Sequence, residues 1–258
     1  MTARPPAPSE TAGWLRPAEP SPDAEATVFL FHYSGGGVSM YSRWPALLPP
    51  SVDCRRVQLP GRQDRVSEPP FTELDPLVEA LCEVLAKEQD GRPYALFGHS
   101  MGAMLAYRVA VAMARRGYER PALLGVSGWA PQGFRTISRK AAHETDEAVV
   151  QLLRELGSVP AEAFDGNRLS PLMLAPMRAD LAVCADFRDD GASVDCPLVA
   201  YTGREDPYLA PGAMQSWRAR SADFLGIREF PGGHFFIHDQ GPGIATDLAQ
   251  TLIRLRAS

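Results

Sequence analysis

The sequence predicts an α/β fold, with one domain built on a mostly parallel central sheet that is flanked by helices. The chain has 258 residues, 45% of them hydrophobic, which is enough to bury a large core around one sheet. Short apolar runs alternate along the chain with amphipathic stretches of helical periodicity. One of these runs leads directly into a tight glycine-containing turn and then into a helical stretch, as expected for a strand–turn–helix unit.

The α/β domain is expected to follow a flexible leader. Residues 1–26 contain six prolines and no apolar stretch, which favours a mobile leader over a signal peptide or a membrane span. The domain is then predicted to cover residues 27–258. A second full domain is not required by the remaining length.

Five apolar runs have the length of buried strands and are bounded by turn-forming or polar residues. They cover residues 27–31, 94–97, 122–127, 197–201 and 224–230. Helical spacing of apolar residues predicts helices at residues 74–85, 103–115 and 244–255. Because helices separate the strands, most strand pairs are expected to be parallel.

The most informative motif is Gly98-His99-Ser100-Met101-Gly102, between the apolar run at 94–97 and the helix at 103–115. This is the pattern of a nucleophile elbow, in which a serine takes a strained conformation and glycines make room on both sides. The turn would expose the Ser100 hydroxyl. It would also direct the backbone N–H of Met101 toward a developing oxyanion.

An acid and a base are expected downstream of Ser100, each in a loop after a strand. Asp206 follows the strand at 197–201, and His234 follows the strand at 224–230. His234 would accept the Ser100 proton, while Asp206 would orient the imidazole. Glu205 is the alternative acid, but the shorter Asp206, followed by proline, is preferred.

The other histidines are assigned structural or solvated roles. His99 flanks Ser100, His32 ends the first strand, and His143 lies in a polar segment. His234 and His238 have the i, i+4 spacing of a zinc pair, but the intervening Phe-Phe-Ile lacks the metalloprotease glutamate. No metal is expected.

A second oxyanion donor is expected in the loop after the first strand, His32-Tyr33-Ser34-Gly35-Gly36-Gly37. Glycines would let this backbone approach a substrate closely. We assign the donor to the N–H of Ser34, with Gly35 as the alternative if the register shifts by one residue. The absence of GxGxxG and P-loop lysine patterns disfavours nucleotide binding. The chemistry of the predicted serine triad needs no cofactor, so none is expected.

The segment between the strands at 122–127 and 197–201 is about 70 residues long, far more than a simple crossover needs. We expect a helical lid at about residues 135–195. Amphipathic stretches at 146–156 and 172–188, separated by a break at 160–166, would supply its helices. Extra core packing or a dimer surface are the alternatives, because an apolar helix face does not show what it covers.

Charge and cysteine content narrow the setting of the protein. A formal charge of −5 disfavours general nucleic-acid affinity. The four cysteines at positions 54, 82, 184 and 196 show neither CxxC nor zinc spacing, which favours a reduced cytoplasmic protein. No membrane association is expected, and nothing in the sequence demands more than a monomer.

The ordered motifs from about residue 27 to 255 resemble the α/β-hydrolase superfamily and, more narrowly, the stand-alone type II thioesterases of polyketide and nonribosomal peptide biosynthesis. The motifs are His32-Tyr33-Ser34-Gly35-Gly36, Gln58-Leu59-Pro60-Gly61-Arg62 with Arg65, the elbow, a stretch at 174–187 containing Arg178-Ala179-Asp180, Gly203-Arg204-Glu205-Asp206-Pro207 and Gly232-Gly233-His234-Phe235-Phe236. Family members usually have alanine where Ser34 stands, a change that a backbone donor tolerates.

The resemblance implies hydrolysis of acyl thioesters on the phosphopantetheine arm of acyl or peptidyl carrier domains, which releases stalled or wrongly primed units. Hydrolysis of soluble esters or acyl-CoA, acyl transfer by the same triad, and a catalytically silent carrier-binding regulator are the alternatives. Arg62 and Arg65 suggest docking to an acidic carrier domain, although ordinary ion pairs explain them as well. An acyl pocket could draw on Met40, Met101, Met104, Phe134, Met173 and Met177, although core packing suits most of them.

Overall fold

The computed structural model describes residues 13–135, 138, 144–156, 165 and 168–256. Their strands are β1 Leu15–Arg16, β2 Ala26–Phe31, β3 Val52–Val57, β4 Tyr94–His99, β5 Leu123–Ser127, β6 Leu198–Gly203 and β7 Phe224–Phe230. The helices are α1 Leu74–Lys87, α2 Met101–Arg115, α3 Asp146–Leu156, α4 Pro171–Asp186 and α5 Ile237–Arg256. The predicted α/β architecture is confirmed.

The strands form one sheet in the order β1-β3-β2-β4-β5-β6-β7. Only the β1–β3 pair is antiparallel in this sheet; its other neighbouring strands are parallel. The register aligns Gly98 with Phe31 on one side and with Val126 on the other. The carboxyl ends of β2, β4 and β5 therefore meet at one edge of the sheet, where ligands of open α/β sheets bind.

Both faces of the sheet are covered, and successive residues of β4 show this directly. Leu96 packs into the core cluster that contains α1 and α2. Ala95 and Phe97 point to the opposite face, into the cluster that contains α5 and Trp44. This alternation follows from the two-residue period of a strand and explains why β4 is apolar throughout.

The expectation of a flexible leader over residues 1–26 is wrong from Gly13 onward. β1 pairs with β3 at the edge of the sheet, and Trp14 and Leu15 are buried in the core. Arg65 also lies over the Trp14 ring, 4.4 Å from its centroid. A strand of two residues leaves no periodic signal in a proline-rich stretch, so packing against β3 decides its conformation. The first twelve residues lie outside the described part of the chain.

The two helices expected between β5 and β6 are present as α3 and α4. They pack on each other through a separate apolar cluster: Val149, Val150, Leu153, Leu169, Leu174, Met177, Leu181 and Ala182. The predicted break at 160–166 lies outside the described residues except for Asp165. α5 begins at Ile237, seven residues before its predicted start, because burial of Ile237 and Gly241 offsets the weak helix propensity around Pro242.

Candidate active site

Ser100 occupies the turn between β4 and α2 with φ 55° and ψ −120°, a positive-φ conformation that a non-glycine residue rarely adopts. A Cβ placed on Gly98 would lie 2.0 Å from the carbonyl oxygen of Gly102. A Cβ placed on Gly102 would lie 2.0 Å from the carbonyl oxygen of Phe31. Both glycines are therefore needed for the turn, as the elbow motif predicts.

The structure brings the three residues predicted to form the triad into contact. Ser100 Oγ lies 3.0 Å from His234 Nε2, and His234 Nδ1 lies 2.8 Å from Asp206 Oδ2. Asp206 Oδ1 accepts a hydrogen bond of 2.9 Å from the backbone N–H of Tyr208. The carboxylate is therefore fixed on both oxygens. Asp206 follows β6 and His234 follows β7, and both strands run parallel to β4. The two residues therefore lie at the same edge of the sheet as Ser100.

Glu205 does not compete with Asp206 for the imidazole. Its side chain turns away and accepts a hydrogen bond of 2.6 Å from the backbone N–H of Gly232. This contact ties the loop after β6 to the loop that carries His234. The geometry favours Asp206 as the partner of His234 and gives Glu205 a supporting contact between the two loops.

The neighbouring histidines are structural. His99 is fully buried, with Nδ1 3.0 Å from Ser127 Oγ, and burial lowers its pKa well below the usual value. Burial also lowers the pKa of His32 to about 4, with the Arg62 charge adding to the effect. His238 Nε2 pairs with the hydroxyl of Tyr33 at 3.0 Å. Among the described residues no group of histidine, cysteine and carboxylate side chains could hold a metal, and His143 lies outside them.

The loop predicted to supply the second oxyanion donor covers residues 33–38 and is called the oxyanion loop here; its Tyr33 and Ser34 line the same pocket as Ser100. Its Gly35 N–H donates a hydrogen bond of 2.7 Å to Asp180 Oδ2, so this N–H is already occupied. Within the described chain no hydrogen-bond partner contacts the backbone N–H of Ser34 or of Met101, and both residues line the pocket at Ser100. The arrangement favours Ser34 over Gly35 as the second donor.

Arg62 and Arg65 are unavailable for docking, because the fold buries both. Arg62 makes two hydrogen bonds with Asp180, at 2.6 and 2.8 Å. Arg65 pairs with Glu68 and stacks on Trp14. Their side chains are 6% and 8% exposed, so the suggested carrier-docking role is wrong for both residues.

Asp180 is a site neighbour to which the sequence analysis gave no role. It lies on α4, and its contacts with Arg62 and Gly35 join residues more than a hundred positions apart. A local signal was present, because an aspartate stands among apolar residues in the motif Arg178-Ala179-Asp180. A charge in such a setting needs a buried partner.

An apolar pocket opens at Ser100 and His234. Its other lining residues are Tyr33, Ser34, Met101, Met104, Trp129, Ala130, Pro131, Phe134, Arg135, Leu153, Leu181, Cys184, Phe187, Tyr208 and Phe235. α3 contributes Leu153, and α4 contributes Leu181 and Cys184. The pocket can therefore enclose an apolar chain attached to a group at Ser100.

The six residues considered for the acyl pocket divide between the pocket and other environments. Met101, Met104 and Phe134 line the pocket. Met177 is buried between α4 and the oxyanion loop, Met40 packs on the opposite face of the sheet, and Met173 is 39% exposed.

Cys184 lies in the pocket, 3.5 Å from Ser34 Oγ, but is not a competing nucleophile. Burial raises the pKa of its thiol to about 12, so it stays protonated at neutral pH. Cys54, Cys82 and Cys196 are also free thiols and are buried. The half-buried hydroxyl of Ser100, paired with His234, is the predicted nucleophile in this pocket.

The sheet, the elbow and the His–Asp pair define the class: the protein is an α/β-hydrolase. Comparison with known proteins narrows this class, because residues 26–252 match the thioesterase domain family. The chain belongs to this family. It is 30% identical to the thioesterase PikA5 of Streptomyces venezuelae over 250 residues, which cover 95% of this chain and 87% of PikA5.

Solved structures agree with this family assignment. The RedJ thioesterase from the prodiginine pathway of Streptomyces coelicolor is 32% identical, with a TM-score of 0.79 over 97% of this chain and 90% of RedJ. The type II thioesterase BorB from the borrelidin cluster is 32% identical, with a TM-score of 0.81 over 95% of this chain and 98% of BorB. The predicted resemblance to type II thioesterases is confirmed.

Proposed function

We propose that this protein is a serine thioesterase that hydrolyses acyl groups from the phosphopantetheine arm of acyl or peptidyl carrier domains. In this role it removes aberrant or stalled units from polyketide or nonribosomal peptide synthases. The observation that carries the proposal is the hydrogen-bonded chain Ser100–His234–Asp206 at the mouth of an apolar pocket. The biosynthetic settings of RedJ and BorB support the substrate class.

Acylation begins when Ser100 Oγ attacks the thioester carbonyl carbon and its proton passes to His234 Nε2. The carbonyl oxygen becomes an oxyanion, which accepts hydrogen bonds from the N–H groups of Met101 and Ser34. Asp206 stabilises the imidazolium and holds its Nδ1 proton. Collapse of the intermediate breaks the C–S bond, and His234 returns the proton to the departing pantetheine sulfur.

Deacylation repeats these steps with water as the nucleophile. His234 Nε2 accepts a proton from the water, and the oxygen attacks the carbonyl of the Ser100 ester. The oxyanion again lies between Met101 and Ser34. When the ester bond breaks, Ser100 recovers its proton from His234 and a free carboxylic acid leaves. No metal or cofactor takes part in either half of the reaction.

α3 and α4 serve as a lid in this proposal, within an insertion at about residues 135–195 of a hydrolase domain that extends to residue 258. Leu153 and Leu181 face the pocket, which supports a role in enclosing the acyl chain. The same two helices also bury an apolar cluster of their own. Pocket lining and core packing are thus combined in one segment.

The carrier domain is proposed as a transient partner that presents its arm to a monomeric enzyme in the cytoplasm. Free, buried cysteines suit a reducing compartment. Across the described ranges, no helix has the length and apolar character needed to cross a bilayer. A net charge of −5 agrees with a protein that does not use nucleic acid as its substrate.

The test compares acyl release from a panel of acylated carrier proteins with release of the same acyl groups from N-acetylcysteamine. The native protein and Ser100→Ala are measured side by side. We expect release that depends on Ser100 and is faster from the carrier proteins. Turnover limited to small thioesters would leave the hydrolase chemistry intact and refute the carrier substrate, whereas acyl transfer to an added amine or alcohol would indicate a transferase.

A further inference from the structure

Three buried side chains hold the backbone of the oxyanion loop at separate points. Asp180 accepts the N–H of Gly35 at 2.7 Å, and Gln58 Oε1 accepts the N–H of Val38 at 3.1 Å. Arg62 Nη1 donates to the carbonyl oxygen of Gly36 at 3.3 Å. The path of the loop beside Ser100 is therefore set by side chains from the segment after β3 and from α4.

α4 makes the closest approach to this loop. Gly35 has φ +74°, and a Cβ at this position would lie 2.1 Å from Met177 Cε. Met177 and Asp180 stand one turn apart on α4, so one packs against Gly35 while the other binds its N–H. The Ser34–Gly35 peptide is thus held against α4, and the N–H of Ser34 is left for the pocket.

A carboxylate so near the proposed oxyanion donors would by itself oppose negative charge on a substrate oxygen. Arg62 offsets this effect through its two hydrogen bonds with Asp180. The two side chains are 6% and 2% exposed, so both charges lie out of water. A buried ion pair contributes little more to stability than apolar packing would, which points to a geometric role for this one.

We propose that Asp180 is a positioning residue for the oxyanion hole and that Arg62 is its neutralising partner. This inference rests on the proposed thioesterase function. Asp180 orients the Ser34–Gly35 peptide so that the N–H of Ser34 stays beside that of Met101. Arg62 cancels the carboxylate charge and fixes Gly36. Neither side chain touches the reacting atoms; both act through the backbone of the oxyanion loop.

The test measures kcat, KM and inhibitor affinity for Asp180→Ala in the full chain. The substrate is an acyl-N-acetylcysteamine thioester, and the inhibitor is a trifluoromethyl ketone that forms an oxyanion adduct with a catalytic serine. We expect kcat to fall about 10- to 100-fold with KM nearly unchanged, because the lost interaction belongs to the transition state. The inhibition constant should rise by a similar factor.

Glu88→Ala is the matched control, since it breaks the ion pair with Arg55, whose side chain is 2% exposed. It should lower Tm by a comparable amount and leave kcat and the inhibition constant unchanged. The positioning role would be overturned if Asp180→Ala matched Glu88→Ala in Tm, kcat and inhibition constant. A change of Asp180→Ala in KM alone would also overturn it. If the native protein shows no Ser100-dependent hydrolysis, the proposed function fails first and this inference falls with it.

A second pair of variants carries the test if Asp180→Ala does not fold. Asp180→Asn keeps an acceptor oxygen for Gly35, whereas Arg62→Gln leaves a buried carboxylate without its counter-charge. A role limited to structure predicts equal losses of kcat from the two halves of one ion pair. We expect the fold-decrease in kcat of Arg62→Gln to be at least about three times that of Asp180→Asn. Equal decreases in the two variants would refute the proposal.

Discussion

Tyr208 packs edge-on against the imidazole of His234, with 4.8 Å between ring centroids and 85° between the planes. The backbone N–H of the same residue donates to Asp206 Oδ1. Tyr208 therefore contacts both members of the His–Asp pair, the ring on one and the main chain on the other. This double contact restricts the imidazole to the orientation in which Nε2 faces Ser100.

Replacing Asp206 with asparagine should nearly abolish turnover. The amide cannot stabilise the imidazolium, and it permits the wrong tautomer of His234, so kcat should fall about 1,000-fold or more. Steady-state hydrolysis of a small acyl thioester at neutral pH measures the change. Glu205→Gln is the adjacent control, because glutamine retains an oxygen for the N–H of Gly232. Equal losses from the two variants would argue against Asp206 as the orienting acid.

Replacing Phe187 with alanine should shift substrate preference toward longer acyl chains. Phe187 lines the pocket and meets Trp129 edge-on at 4.9 Å, so alanine at this position would lengthen the apolar cavity. kcat/KM across a series of straight-chain acyl thioesters should peak at a greater length than in the native protein. Leu172→Ala, a change on α4 at a residue that is itself 69% exposed, should leave the profile in place. An unchanged profile in Phe187→Ala would place the acyl chain elsewhere.

Two glycine-to-alanine changes within helices should have different consequences for stability. Gly102→Ala forces a Cβ against the carbonyl of Phe31, so we expect a loss of about 3 kcal/mol or more in the free energy of unfolding. Gly243→Ala in α5 meets only a Phe230 ring carbon at 3.2 Å, which can shift. Its helix propensity should leave stability unchanged or raise it by up to about 1 kcal/mol. Denaturant unfolding compares the two, and similar losses would contradict the elbow packing.

Acid should destabilise the protein through His32. Its folded-state pKa of about 4 lies below the ordinary value of 6.5, so the unfolded chain binds more protons between these values. The contribution is fully present above pH 6.5 and is lost as the pH falls toward 4. The linkage amounts to about 2 kcal/mol at pH 5.

Unfolding free energies at pH 8, 6 and 5 measure this effect, with His32→Gln as the comparison. The variant should lose less stability on acidification than the native protein. The buried His99 contributes in the same direction, so some pH dependence should remain in the variant. Identical slopes in the two proteins would exclude His32 as a source.

The parts of the site that sequence predicts well are those set by local structure. Ser100, Asp206 and His234 each follow an apolar strand, and in a parallel sheet such positions share one edge. The ion pair between Arg62 and Asp180 depends on packing between segments that are distant in the sequence. No local pattern reveals this pairing, so the sequence suggested that Arg62 was an exposed charge available for docking. β3 was missed for a related reason: Arg55 and Arg56 interrupt its apolar pattern, and Arg55 is buried only because Glu88 and backbone carbonyls receive it.

The order of the strands has a consequence for how the activity depends on folding. β4 and β7 are three positions apart in the sheet, about 14 Å at the usual strand spacing. The loop bearing His234 must therefore reach back over the ends of β5 and β6 to meet Ser100. Local misalignment anywhere in this half of the sheet would separate Ser100 from His234. Catalytic turnover should therefore be a stringent reporter of native structure. We expect activity to be lost in the same transition in which the sheet unfolds, and not at a later stage of unfolding.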